Sequence, residues 1–222
     1  LIVFTVAAAG QQTAGEHHRA AREYMSEAKR TSNAIRLAYI AWQIDDELEQ
    51  AIALDPNLVD ARVDLVRFYV TAPRIVGGSI RKAREQAREI AKRDAALGAF
   101  ASGYIDYREK AFGPARIKLR EAVKLAKTPQ TKTLALTWLG WLSQETQQYD
   151  AAFDAWSEVI AIDSARVDAL YEIGRTAVFA RRELDRGDAS LRRYLASKRT
   201  DEMPSAEDAK ALLAKISALR AP

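Results

Sequence analysis

The chain has 222 residues, with 34 Lys or Arg, 30 Asp or Glu, two His and no Cys, for a formal net charge of +4. Without cysteine there is no disulfide framework, thiolate nucleophile or thiolate metal site, and so small a positive excess gives no argument for a nucleic-acid partner. Only ten Gly and six Pro, in a chain rich in Ala, Leu, Arg, Glu and Lys, predict an all-α fold.

The chain opens on the apolar run "LIVFTVAAAG". Residues 1–15 read as an apolar N-terminal segment, and Ala7-Ala8-Ala9 is the small-residue pattern that precedes signal cleavage. A signal-peptide remnant, and with it a periplasmic or otherwise exported location, is expected. The alternative is a short apolar segment tucked onto the first helix of a cytoplasmic protein. The run is shorter than the roughly 20 apolar residues of a spanning helix. His17 and His18 are neighbours on a helix and point about 100° apart, so they cannot chelate one ion together. They read as a solvated N-terminal turn, and no metal site or cofactor is expected. From Asn33 to Ala53 a single long helix is predicted, because Leu37, Ile40, Ile44, Leu48 and Ile52 keep step throughout.

Arg62, Leu65, Val66 and Tyr69 mark the next helix. Pro73 ends it near Ala72, Gly77-Gly78 reverse the chain, and Ser79 is placed to cap a helix carrying Ala83, Ala87 and Ile90. Glycines before a hydroxyl and the cations Arg81 and Lys82 suggest a phosphate loop, but G-x-x-x-x-G-K-[ST] is absent and no strand leads in. An enlarged inter-helix loop is the better reading. Ala99, Gly103 and Tyr107 share one stripe; Phe112, Ala115, Leu119, Ala122 and Leu125 share the next. Leu136, Leu139, Gly140 and Leu142 precede Tyr149, Ala152, Phe153, Trp156, Val159 and Ile160, with Gly140 and Ala152 letting two helices approach. Leu170, Ile173, Gly174 and Ala177 follow, then a helix from about Asp188 to Ser197. A last helix, Ala206 to Leu219, closes the chain.

These helices pair into hairpins whose ends, at Asp55, Asp94, near Ala126 and at Asp163, recur at intervals scattered about 34 residues. The pattern resembles the tetratricopeptide repeat. The resemblance implies a right-handed superhelical solenoid of antiparallel helix hairpins over residues 16–222, with a C-terminal capping helix. The strings "APRIVGGSIRKAREQAREIAKRD" and "ELDRGDASLRRYL" further resemble a group of bacterial, often exported tetratricopeptide proteins with a Pro-x-x-x-Gly-Gly-Ser loop. No defined activity comes with that group.

The family resemblance also implies which side chains line a concave groove. It nominates Arg67, then Phe100, Tyr104, Tyr107 and Arg108, then Trp141 beside Gln144 and Glu145, and finally Tyr171 and Arg175 beside Phe179. Trp, Tyr and Arg are the residues enriched in binding hot spots. An extended peptide would lay apolar side chains on the rings while the arginines hold a carboxylate. Trp138, Trp156 and Tyr149 are expected inside the hairpins. The expected function is a non-catalytic scaffold that binds a protein or peptide segment in its groove. A small anionic ligand, in a transport accessory, is the alternative; a structural component of a larger assembly is the third. No Ser stands in G-x-S-x-G and the carboxylates are scattered, so no enzyme is expected. The basic segment from Arg181 to Arg199 is interleaved with Glu183, Asp185 and Asp188, so it reads as a solvated helical face and not a nucleic-acid site.

Overall fold

A computed structural model describes residues 12–200 and 202–221. The apolar run of the first ten residues lies outside them. Among the described residues there are eleven α-helices and no strand. Two compact units divide the chain, Leu1–Ala101 and Ser102–Pro222.

The first unit holds α1 (Ala14–Ala28), α2 (Ala34–Leu54), α3 (Val59–Thr71), α4 (Ile80–Ala91) and the start of α5 (Ala95–Arg108). Thr13 and Glu16 form a capping box that starts α1, and Asn33 caps α2 by accepting from the Arg36 N–H. As the periodicity requires, α2 is one uninterrupted helix that buries Ile40, Ile44, Leu48 and Ile52. Arg62 on α3 is buried too, which its side chain tolerates because the guanidinium donates to the Pro56 carbonyl and to Gln86.

The two histidines correct the sequence expectation of a solvated turn. His17 is 7% exposed, with Nδ1 2.6 Å from Glu47 Oε2 on α2. His18 Nε2 lies 3.0 Å from Asp64 Oδ2 on α3. The divergence that prevents shared chelation sends adjacent side chains to two different helices.

The Pro73 to Ser79 loop is built as its residues dictate. α3 stops at Thr71, a 3₁₀ turn spans Arg74–Val76, and Gly77 takes φ +106°. Only glycine adopts that backbone readily. At Gly78 a Cβ would stand 1.8 Å from the Ala72 carbonyl oxygen. Ser79 Oγ accepts from the Lys82 N–H at 3.3 Å, and the Ser79 N–H donates to Tyr69 O at 2.8 Å.

The second unit holds the end of α5, then α6 (Phe112–Leu125), α7 (Pro129–Glu145), α8 (Tyr149–Ile162), α9 (Asp168–Ala180), α10 (Leu184–Ala196) and α11 (Ala206–Arg220). Its hairpins close on small residues. A Cβ on Gly140 would meet Trp156 Cε2 at 2.5 Å, and one on Gly174 would meet Leu191 Cγ at 2.3 Å. Trp156 is fully buried in a cluster with Leu136, Phe153, Val159 and Ile173. Leu170, Leu191, Tyr194, Leu212 and Ile216 form a second core that seats α11 on α9 and α10. α10 begins four residues before the expected Asp188. Gly187 does not break it; there the glycine admits Ala177 Cβ, which a Cβ would meet at 2.5 Å.

Candidate partner-binding site

In the second unit the ends of α5, α7 and α9 converge. Residues three and four apart on a helix share a face, so Trp141, Gln144 and Glu145 of α7 stand over Arg175 and Phe179 of α9, with Tyr107 of α5 beside them. These six line an open cavity of about 180 Å³.

Its floor is a buried polar network. Gln144, 6% exposed, donates from Nε2 to Thr176 Oγ1 at 2.7 Å and to Glu172 Oε2 at 3.1 Å. Its Oε1 accepts from Arg175 Nη2 at 2.6 Å. Arg175 Nε stands 2.9 Å from Glu172 Oε2 but off the N–H direction, which makes that contact an ion pair and not a hydrogen bond. Burial pushes the Glu172 carboxyl above the usual range, and Arg175, Gln144 and the Trp141 indole N–H act against that rise. Apart from Arg175 Nε the network's polar groups are hydrogen-bonded, and such a network holds side chains in fixed positions.

The walls are aromatic. Trp138 packs edge-on to Trp141 with ring centroids 5.0 Å apart, and Trp141 leans edge-on to the buried Trp156 at 5.8 Å. Phe179 is 52% exposed and carries the Arg175 guanidinium 5.7 Å from its ring centre. Tyr107 has its phenol pKa pushed up to about 12, first by burial and then by its hydrogen bond to Glu145. At neutral pH it is therefore a neutral hydroxyl beside a carboxylate.

Of the residues nominated from the sequence, Tyr107, Trp141 and Arg175 meet at this cavity. Arg108 is exposed at the end of α5, close enough to act on the Tyr107 phenol. Phe100 and Tyr104 do not offer an open face: they are 2% and 3% exposed. α5 is apolar nearly all round from Ala96 to Ile105, which calls for burial on every side, and Tyr104 is taken up edge-on by Trp138 at 4.6 Å. Tyr171 is half-buried against Tyr194 at 5.5 Å and does not line the cavity. Arg67 belongs to the first unit, exposed and 3.6 Å from Asp64 one turn earlier on α3.

Two of the three nominated arginines stand beside carboxylates of their own helix. Arg175 is already paired by Glu172, and Arg67 by Asp64. The groove pattern nominates neither Glu172 nor Thr176. A Glu three residues before an Arg on one helix is a visible signal, but the spacing alone describes a solvated pair as well as a buried one.

Among the described residues no group of three or more His, Asp or Glu is placed to hold a metal ion, and no helix is long and apolar enough to cross a membrane. No family model matches the sequence, and no curated protein matches it significantly. Solved structures do. PilF of Pseudomonas aeruginosa is 16% identical and superposes with a TM-score of 0.64 over 93% of this chain and 85% of its own. PilW, described as a widely conserved type IV pilus biogenesis factor, is 18% identical, with a TM-score of 0.63 over 95% of this chain and 91% of its own. At these identities the likeness is one of fold, and the chain has the all-α architecture of consecutively paired helices found in tetratricopeptide-repeat proteins.

Proposed function

We propose that the protein is a non-catalytic scaffold that holds a protein or peptide segment, with the cavity of Tyr107, Trp141, Gln144, Glu145, Arg175 and Phe179 receiving one partner side chain. The reading includes the finer resemblance, a bacterial and exported tetratricopeptide protein with the Pro73 to Ser79 loop. The observation that carries it is the convergence of three alternate helices, α5, α7 and α9, on one cavity of about 180 Å³. Pockets for whole small ligands run from about 300 to 1,000 Å³, whereas about 150 Å³ suffices for a benzene ring. The space therefore suits a side chain of a larger partner and argues against the small-ligand alternative. Internal pairing of Arg175 argues further against a small anion. A nucleic-acid partner is disfavoured because Arg182, Arg192 and Arg199 are engaged with Asp150, Asp188 and backbone carbonyls.

The test is capture from native cells with immobilised protein, comparing the parent with Phe179→Ala combined with Glu145→Ala. Both residues are exposed, so helicity and melting should hold while partner recovery falls at least tenfold, an effect of hot-spot size. Undiminished recovery of the same partners would overturn the groove reading and favour a role as a structural component of a larger assembly.

A further inference from the structure

The rings around the cavity belong to one edge-on series. Tyr107 meets Trp138 with centroids 5.4 Å apart and planes at 69°, Trp138 meets Trp141 at 5.0 Å and 82°, and Trp141 meets Trp156 at 5.8 Å and 66°. Tyr107 and Trp141 are the members that line the cavity, and Phe179 of α9 completes its aromatic wall. A further ring placed here would continue the series in the geometry that aromatic pairs prefer.

Charge at the cavity is already matched in both signs. A carboxylate entering it would meet the exposed Glu145, and Arg175 stands 2.9 Å from Glu172 Oε2 with Nη2 donating to Gln144. A cation would meet Arg175 itself, 5.7 Å from the Phe179 ring centre, where a cation lies over a ring. Arg108 acts on Tyr107 from the end of α5 as well. Of the neutral polar groups, the Tyr107 hydroxyl donates to Glu145, and the Gln144 amide is held by Thr176, Glu172 and Arg175. A neutral ring asks nothing of these groups. It also fits: a cavity of about 150 Å³ accepts benzene, and this one measures about 180 Å³.

We infer that the partner side chain seated here is aromatic, a phenylalanine or tyrosine whose ring packs among Tyr107, Trp141 and Phe179. This rests on the proposed reading of the cavity as a partner site and names the class of residue that the site selects.

The experiment titrates the full chain with acetylated, amidated pentapeptides, glycine throughout except for phenylalanine, leucine, lysine or glutamate at the centre. The NMR signals of the Trp141 indole and the Phe179 ring report binding. The phenylalanine peptide should shift both saturably and bind about two- to tenfold tighter than the leucine peptide, the margin of a ring pair over its area alone. The lysine and glutamate peptides should bind about tenfold or more weakly than phenylalanine, because each would lose water beside a like charge. Phe179→Leu should narrow the margin of phenylalanine over leucine to under about twofold. Circular dichroism and melting should hold in that variant, because Phe179 is half in water already. Lysine or glutamate binding as tightly as phenylalanine overturns the inference. So do equal affinities for phenylalanine and leucine, or signals that no peptide moves. Capture from native cells separates this from the scaffold reading. A Phe179→Ala, Glu145→Ala protein that loses its partners while no pentapeptide binds the parent sinks this inference alone. Capture undiminished in that variant sinks the groove reading instead.

Discussion

Arg175 Nη2 donates to Gln144 Oε1 across 2.6 Å, joining α9 to α7 through one hydrogen bond. The other end of the same amide donates to Thr176 at 2.7 Å, so Gln144 bridges the two helices. Gln144→Ala leaves the Glu172 carboxylate and the Arg175 guanidinium each short of a partner in a buried setting. We expect a loss of about 2–3 kcal/mol in denaturant unfolding. Phe179→Ala on the same cavity should cost under about 1 kcal/mol, because its ring is half in water already. Equal small losses from both would mean that the network does not hold the wall.

Tryptophan accessibility separates the aromatic layers. Trp42 is 61% exposed and Trp156 fully buried, with Trp141 between them. In a Trp42→Phe background, replacing Trp141 by Phe should remove more acrylamide-quenchable emission than replacing Trp156. The opposite order would place Trp141 in the core and close the cavity's aromatic wall.

Gly140→Ala tests the closeness of α7 and α8. The added Cβ would lie 2.5 Å from Cε2 of a Trp156 ring that has no room to move. Overpacking of this kind costs about 1–3 kcal/mol. Gly113→Ala on α6 is the control: no atom lies within 4 Å of its Cβ position, and the change should be neutral or stabilising. Thermal melts of the two variants should therefore move apart.

Carboxyl titrations should split in two directions. Burial raises the Glu172 pKa, whereas hydrogen bonds from Lys92 and Arg93 lower that of Glu89 to about 2. The folded state holds the Glu172 proton more tightly than the unfolded chain does. Its contribution to stability is therefore fully present below the ordinary carboxyl value and is lost as the pH rises through the raised one. Glu89 acts oppositely: its contribution is present above the ordinary value and is lost as the pH falls toward about 2. Carbon-13 titration of the side-chain carboxyls should show Glu172 above and Glu89 below the ordinary glutamate range. A Glu172 resonance that titrates with the exposed glutamates would show its site to be wet.

Much of the fold was legible because its causes are local. Pro73 and the Ser79 hydroxyl set the ends of α3 and α4 through a missing N–H and a cap, and these need no distant partner. The apolar step of α2 and the small residues Gly140 and Gly174 identified helix faces and close approaches from spacing alone. The sequence places the start of α10 near Asp188, whereas the helix starts at Leu184 and runs through Gly187, which admits Ala177.

The chain by itself determined the helices, their pairing and the face on which each aromatic lies, because backbone hydrogen bonding and a period of 3.6 residues are properties of adjacent residues. Tertiary structure alone decided which of those faces stays open. Tyr104 and Tyr107 are one turn apart on α5 and both meet Trp138 edge-on, at 4.6 and 5.4 Å, yet the first is buried while the second reaches the cavity. Exposure depends on what the next helix brings, and so does charge. Only the stacking of α7 on α9 puts Gln144 against Arg175 and Glu172, which turns an arginine expected to hold a ligand into part of the floor beneath it.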